Sequence, residues 1–466
     1  MINTRLHAVS ILLLGALAPM AGAQQRPPIR QLGAITATSA EGFGNIVGVR
    51  QLSDGRILVN DLPRRRVLLL DPALKTYTVV ADSTAATGNA YSGRVGGLLA
   101  YKGDSSIFVD PQSLSMLVID DKGKVARVMS IPRSEDAMTL AGLAAGVPGF
   151  DKSGRLVYRA SPNFGFRRAV QAPGSGGAGG GPAPGFQMPD IPDSAAIVRI
   201  DLTTRHLDTL AWIKTQKIKM EPTRDADGRI TGMMSQINPL PVIDEWAVLP
   251  DGTLALVRGK DYHVDFIAPD GSKTSALKVP FEWQRLTDED KVAFIDSVKA
   301  ARLRLGANAG NPVIAGGGGA AIALGGPGAA AGGAGAAGGG GPQIVFRMEG
   351  GPGGAGPGGG AGGQRGGGGP NVQLNFIPPN ELPDYKPPFF AGAVRADTEG
   401  NLWIRTIPTK AIPGGPIYDV INRQGQLIDR VQIPLDRNIL AFGPGGTVFL
   451  AHRDGTNVYV EKASVR

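Results

Sequence analysis

Charged or polar side chains follow each of six short apolar triplets in the sequence, within two positions of the last triplet residue. Three of them are arginines, whose forked guanidinium groups match the geometry of carboxylates and phosphates. The mixture of acidic and basic residues predicts a site for an anionic or zwitterionic ligand. The alternative interpretation is that these residues pair with one another or with loop amides. The candidate residues are Asn60, Asp61, Asp110, Arg159, Arg258, Arg405 and His452.

The triplets belong to a repeated unit of turn, apolar strand and charged end. Four copies are "SDGRILVND", "KSGRLVYRA", "PDGTLALVR" and "TEGNLWIRT". A third strand such as "RVLLLDP" follows each triplet, and a fourth, more polar strand follows in the first five units. Gly400 and Gly446 are about 46 residues apart, which is typical of a four-stranded propeller blade. The sequence therefore predicts an all-β, six-bladed propeller whose triplets are buried between neighbouring blades.

The last unit ends at Arg466 without a fourth strand. The segment "IRQLGAITAT" at 29–38 is predicted to supply it and to close the ring, which removes exposed sheet edges. Extra sequence between Ile213 and Ile243 includes "KMEPTRDADGRITGMM". It is interpreted as an added hairpin, with a seventh blade as the alternative.

The unit resembles the repeat of the six-bladed NHL-type β-propellers. The stretch "DGRILVNDLPRRRVLLLD" carries the Asp-Gly turn, the apolar strand and the Arg-containing third strand of that repeat, and "TEGNLWIRT" followed by "IYDVINRQGQ" is similar. The resemblance implies that the loops after the second strands surround a central channel where ligands bind. Some relatives are enzymes, including peptidylglycine amidating lyase and streptogramin lyase, which use histidines at that channel.

The chain has few histidines, the residue type on which the enzymes of the NHL-type family rely at the channel. After the N-terminal segment only His206, His263 and His452 remain, too few channel histidines for a His₃ metal site. His263 lies between Asp261 and Asp265, a triplet suited to acid–base work or metal binding, although strict alternation favours an outward-facing strand. No nucleophile motif is present. We expect a non-catalytic propeller that binds a ligand or an envelope protein, without metal or cofactor; the alternative is a propeller lyase or hydrolase.

The first 23 residues have the layout of a secretory signal peptide, with Arg5, an apolar run and the ending "AGA". The expected mature chain starts at Gln24, is periplasmic or extracellular, and has no membrane span. The chain has no cysteine, which excludes disulfides and thiolate catalysis. Its net charge of +8 is modest and no aromatic-studded basic cluster accompanies it, so nucleic-acid binding is not expected.

Two low-complexity segments interrupt the predicted propeller, which otherwise forms a single domain over 24–466. Residues 171–190 and 306–370 are rich in glycine and alanine and are expected to be disordered insertions. One helix is predicted over about 288–304. Thr287 can cap its first turn, and acidic residues follow where the positive end of the helix favours them.

Overall fold

The computed structural model describes most of the chain outside the N-terminal segment and the low-complexity segments. The predicted signal peptide at 1–23, the segment 171–190 and residues 307–370 lie outside the described residues. The described ranges are 26–84, 91–92, 95–143, 146–161, 192–217, 219–224, 226, 230–306, 371–410 and 412–465.

Six blades of antiparallel strands form the fold, which confirms the six-bladed β-propeller of NHL-like type. Two short strands, β1 (Ile29–Gln31) and β2 (Ile35–Thr38), precede the first blade. The first three blades consist of β3 (Ile46–Gln51), β4 (Ile57–Asp61), β5 (Arg66–Leu70) and β6 (Tyr77–Ala81); β7 (Gly97–Ala100), β8 (Ser106–Asp110), β9 (Ser115–Ile119) and β10 (Val125–Ser130); and β11 (Gly149–Phe150), β12 (Leu156–Arg159), β13 (Ser194–Ile200) and β14 (Leu207–Lys214).

The second half of the ring is interrupted by inserted elements. Before blade 4 come β15 (Lys219–Arg224) and β16 (Ile230–Ile237), and before blade 5 come the helix α1 (Asp288–Gly306) and β21 (Asn371–Phe376). Short helical turns cover Ser134–Asp136, Thr139–Leu143, Pro379–Glu381 and Pro444–Gly446. The blades consist of β17 (Glu245–Val248), β18 (Leu254–Arg258), β19 (His263–Ile267) and β20 (Lys273–Ser275); β22 (Phe389–Ala396), β23 (Leu402–Thr406), β24 (Ile417–Ile421) and β25 (Leu427–Gln432); and β26 (Arg437–Gly443), β27 (Thr447–Asp454) and β28 (Asn457–Ser464).

The predicted triplets form the second strand of each blade and are buried on both sides. In blade 1, Ile57 and Val59 pack with residues of blade 6, whereas Leu58 packs with residues of blade 2. A strand between two neighbouring sheets has no solvent face, which is why these triplets do not alternate with polar residues. The turn before each triplet uses glycine where the backbone has positive φ, as at Gly55 (φ 88°) and Gly400 (φ 87°).

The N-terminal segment closes the ring, but only its second half does so. Strand β2 pairs antiparallel with β28 and supplies the fourth strand of blade 6. Strand β1 instead adds to blade 5, where it pairs in parallel with β25. The predicted closing segment 29–38 therefore serves two blades.

We call the end of the ring at which the second strands finish the upper face. Each outer strand also leads into the next blade there, so the elements inserted around blade 4 leave from this face. Strands β15 and β16 form a hairpin, not a seventh blade, and β21 pairs in parallel with β16. Leu240, Leu286 and Ile295 pack with Ile377 and Leu382 in one cluster that also contacts Phe390 of blade 5. We call β15, β16, β21 and α1 the cap.

The single predicted helix is confirmed as α1, and its start follows the expected capping pattern. The Thr287 hydroxyl accepts a hydrogen bond from the Asp290 backbone N–H at 3.2 Å, and the Asp290 carboxylate accepts one from the Thr287 backbone N–H at 3.0 Å. This reciprocal arrangement satisfies two amides of the helix start. No helix within the described ranges is long and apolar enough to cross a membrane.

Candidate functional site

Asp61 lies at the upper end of β4 but is held by its own blade. Its carboxylate accepts hydrogen bonds from the backbone N–H groups of Gly44 (3.0 Å) and Asn45 (3.3 Å) and pairs with Arg66 at 3.1 Å. The side chain is fully buried. These contacts match the interpretation that the charged loop residues pair locally, and a role of Asp61 in ligand binding stays a prediction.

Asp110 and Asn60 lie at the same end of the ring, where Asp110 faces blade 1 and Asn60 faces blade 2. Both side chains are hydrogen-bonded to loops. Asp110 accepts hydrogen bonds from the Ser113 hydroxyl (2.8 Å) and the Gln112 backbone N–H (3.1 Å), and another from Ser92. The Asn60 amide donates to the Gly96 carbonyl at 2.9 Å. Their polar atoms thus order the upper loops of blades 1 and 2.

Arg258 is neutralised by two carboxylates. Its guanidinium group pairs with Asp244 at 2.8 Å and with Asp265 at 2.8 Å. The His263 ring lies beside the same cluster, with Nδ1 2.7 Å from Asp261 and Nε2 3.3 Å from Asp265. Arg258 therefore does not offer a free cation in this structure, whereas a role of Arg159 and Arg405 in ligand binding stays a prediction.

Arg159 differs from Arg258 because it is buried without a partner. It ends β12 and is 7% exposed. Val157, two residues earlier on the same side of the strand, packs with Trp246 and Leu254 of blade 4, so Arg159 also faces blade 4. Its Nε atom is buried without a hydrogen-bond partner, and it forms no ion pair with any described residue. Burial lowers the pKa of Arg159, and the nearby Glu245 opposes that shift.

Glu245 is the acidic group that faces this arginine, and it starts β17, the innermost strand of blade 4. Its side chain is fully buried. Neither carboxylate oxygen makes a hydrogen bond of acceptable geometry with the rest of the described structure. Burial raises the pKa of Glu245 to about 7, although the Gly392 backbone N–H and the Arg159 charge both favour the ionised form. Because buried carboxylates are normally satisfied, such a residue indicates a functional site.

A β-bulge in blade 5 directs the Gly392 amide toward Glu245. Strand β22 lies beside β17, and its register with β23 shifts between Phe389 and Val394. Gly392 lies within this irregular stretch at φ 76°, a conformation that favours glycine. The contact from its N–H favours the carboxylate form but is too poor in geometry to count as a full hydrogen bond. The bulge thus places one backbone N–H beside a carboxylate that is otherwise without a donor in the described structure.

Arg405 and His452 lie near the ends of the second strands of blades 5 and 6, at the same face. Both side chains are partly buried, and His452 Nδ1 is buried without a partner. Within the part of the chain that the structure describes, no group of three His, Asp or Glu residues is arranged to hold a metal ion. The candidate chemistry is centred on Glu245 and the nearby Arg159.

Sequence reasoning missed Glu245. It lies in "EWAVL", the first strand of its blade, whereas the candidate residues were sought only after the second strands. An acidic residue at the first position of an innermost strand is nevertheless a readable signal, since the five other innermost strands start with Ile46, Gly97, Gly149, Phe389 and Arg437. Comparing first strands as well as second strands would have identified it.

The raised pKa of Glu245 predicts a pH-dependent change in stability. The folded state binds this proton more tightly than the unfolded chain, whose pKa is near 4.5. The contribution of this group to stability is therefore fully present below pH 4.5 and is lost as pH rises through about 7. We expect Glu245→Gln to gain about 3 kcal/mol in free energy of unfolding relative to the wild type between these pH values.

Urea unfolding at pH 4.5 and pH 8 checks this difference. Glu399→Gln, which removes an exposed carboxylate from the turn between β22 and β23, is the matched control and should follow the wild type. If the free energy of unfolding changes by the same amount between pH 4.5 and pH 8 in Glu245→Gln and in the wild type, the pKa of Glu245 is not raised.

Comparisons with known proteins add a likeness in fold. No protein-family model matches the sequence, and no curated protein is significantly similar to it. Among solved structures, a gluconolactonase from Xanthomonas campestris is 11% identical, with a TM-score of 0.36, over 94% of this chain and 98% of that one. Virginiamycin B lyase from Staphylococcus aureus is 12% identical, with a TM-score of 0.26, over 51% and 71%. A luciferin-regenerating enzyme is 9% identical, with a TM-score of 0.35, over 91% and 92%.

The expectation of a non-catalytic propeller that binds a ligand or an envelope protein is wrong, because the three solved structures named above are enzymes by name. The alternative expectation of a lyase or hydrolase agrees better with them. Identities this low transfer no substrate or mechanism, so the case for an activity must come from the geometry of Glu245 and Arg159.

Proposed function

We propose that this protein is an enzyme of the lyase or hydrolase class in which Glu245 accepts a proton from the substrate or from water. The observation that carries the proposal is the fully buried, unsatisfied carboxylate of Glu245, whose pKa is raised to about 7. A general base works best when its pKa lies near the working pH. Few structural roles explain an acidic side chain placed without a hydrogen-bond partner at the channel end of an innermost strand.

Arg159 supplies the complementary charge. Its guanidinium group is buried near Glu245 and has unused hydrogen-bonding capacity at Nε. A positive group that is already in position when the reaction starts stabilises the negative charge that develops on an oxygen in the transition state. In a hydrolase that oxygen belongs to the attacked carbonyl; in a lyase it belongs to the carbonyl next to the carbon that loses its proton.

The two reaction classes use the same base differently. In hydrolysis, Glu245 takes a proton from water as the water oxygen attacks the carbonyl carbon, and the bond to the leaving oxygen breaks. In elimination, Glu245 takes a proton from carbon, a carbon–carbon double bond forms, and the leaving group departs with its bonding electrons. Both need a substrate that reaches the upper end of the channel, where the surrounding segments must open because both carboxylate oxygens are shielded from solvent.

A substrate panel tests the proposal and separates the classes. Purified protein is incubated with lactones and carboxylate-bearing esters, followed by acid release, and with carboxylates that carry a β-leaving group, followed by ultraviolet absorbance of the new double bond. Turnover of one class in ¹⁸O-labelled water assigns the reaction, since only hydrolysis incorporates the label. Folded protein that turns over no member of either class counts against the proposal.

We also propose that the chain is exported and that its mature form starts at Gln24. The support is the sequence pattern of residues 1–23, which combines a basic residue, an apolar run and a small-residue ending. N-terminal sequencing of protein from a native-like expression host should give Gln24. Recovery of Met1 on the folded protein in the cytoplasm would contradict export.

A further inference from the structure

Two arginines lie on one face of blade 5, the face toward blade 6. Arg395 on β22 is opposite Trp403 on β23, and Arg405 is two residues beyond Trp403. Side chains two residues apart on a strand point to the same side, so both guanidinium groups share this face. Trp403 packs on Phe442 of blade 6 with ring centroids 4.9 Å apart, which identifies the facing blade.

A buried tyrosine lies on the same face of the sheet, on the strand beyond Arg405. Tyr418 is directly opposite Arg405 in the sheet and is 5% exposed. Burial raises the pKa of its hydroxyl, and the charges of Arg405 and Arg395 both oppose that shift. Both guanidinium groups therefore lie close enough to act on the same phenol. Arg395 lies on β22, the innermost strand of the blade.

Arg395 and Arg405 are partly buried, and neither is neutralised by a carboxylate of the described part of the chain. Arg395, Arg405 and the Tyr418 hydroxyl form no ion pair or hydrogen bond with the residues that the structure describes. The other face of blade 5 differs, because Arg430 pairs there with Asp419 at 3.3 Å. Two like charges placed near each other are stabilised when an anion lies between them.

Blade 6 adds a fourth polar group from across the interface. Leu450 of β27 packs in the same cluster as Trp403 and Tyr418, and His452 is two residues further along that side of the strand. His452 Nδ1 is buried without a hydrogen-bond partner. Arg405 and His452 both end second strands, so they lie at the same upper end of the two blades.

We infer that Arg395, Arg405, Tyr418 and His452 form an oxyanion-binding subsite for a carboxylate or phosphate group of a small molecule. Guanidinium forks and a phenol hydroxyl suit the several acceptor oxygens of such groups. The inference that the bound anion is part of the substrate rests on the proposed function. The inference that the subsite binds an anion does not rest on it. The subsite would then hold the charged end of the substrate while Glu245 acts on another part of it.

Isothermal titration with inorganic phosphate and with succinate tests the subsite. We expect saturable binding of one anion per chain, weakened about tenfold or more in Arg395→Gln and in Arg405→Gln. Arg453→Gln is the matched control, because Arg453 is exposed next to His452, and it should bind as the wild type does. The stronger of the two probes identifies the carboxylate or phosphate preference.

Tyr418→Phe keeps the packing and removes only the hydroxyl, so it preserves the test if an arginine variant fails to fold. Several-fold weaker binding in Tyr418→Phe supports the subsite. Absence of saturable binding of both probes, or equal affinity in the wild type and all folded subsite variants, overturns it. Anion binding should persist in Glu245→Gln, so loss of catalysis there and loss of binding in the arginine variants are separate results.

Discussion

Replacing Glu245 by glutamine is expected to reduce turnover of any substrate found for this protein by about 100-fold or more, the range for loss of a general base. Glutamine keeps the size and packing of the side chain but cannot accept the proton. The site is buried, and among the described residues the neighbouring carboxylate of Asp244 is already paired with Arg258. The measurement is kcat/KM for the wild type and the variant at neutral pH.

Two further variants make this result specific. Glu399→Gln removes a carboxylate from the lower face of blade 5 and should leave kcat/KM unchanged. Arg159→Lys keeps a positive charge but loses the fork, and it should lower kcat more than it raises KM if Arg159 stabilises charge that develops during the reaction. Full activity in folded Glu245→Gln would remove Glu245 from the mechanism.

Deleting residues 26–38 is expected to destabilise the protein by about 4 kcal/mol or more, because it removes several buried hydrogen bonds and exposes a sheet edge. Strand β2 completes blade 6 against β28, and Ser39, directly after it, donates its backbone N–H to the Val460 carbonyl at 2.8 Å. Without β2, β28 becomes an open edge that favours association between chains. Urea unfolding and size-exclusion chromatography measure both consequences.

Deleting only residues 26–31 is the matched control. That change removes β1, which adds a fifth strand outside blade 5, but leaves the pairing of β2 with β28 in place. We expect a clearly smaller loss of stability and a monodisperse protein. Equal effects of the two deletions would contradict closure by β2.

The fold could be predicted because its signals are local and repeated. Gly55 and Gly400 mark turns by a conformation that few other residues adopt, and the triplet around Leu58 is apolar on both sides because blades lie on both sides. The division of 29–38 between two blades could not be predicted. Pairing of β1 with β25 depends on the path of the chain around the ring, not on the character of its residues.

The candidate site was predicted less completely, since chain position shows where a side chain starts but not what it contacts. Asp61 and Arg258 follow triplets just as Arg159 does, yet the first caps loop amides and the second is held by two carboxylates. Arg395 gave no signal because it lies in the first strand of its blade, outside the aligned triplets. Glu245 was hidden for the same reason.

Infrared titration of the buried carboxylate shows without any substrate whether Glu245 holds a proton near neutral pH. The difference spectrum between the wild type and Glu245→Gln is recorded from pH 4 to pH 9 and followed at the carboxylate and carboxylic acid bands. The account predicts conversion of one carboxylic acid to carboxylate with a midpoint at about pH 7. A carboxylate already fully ionised at pH 5 would contradict a proton-accepting role for Glu245.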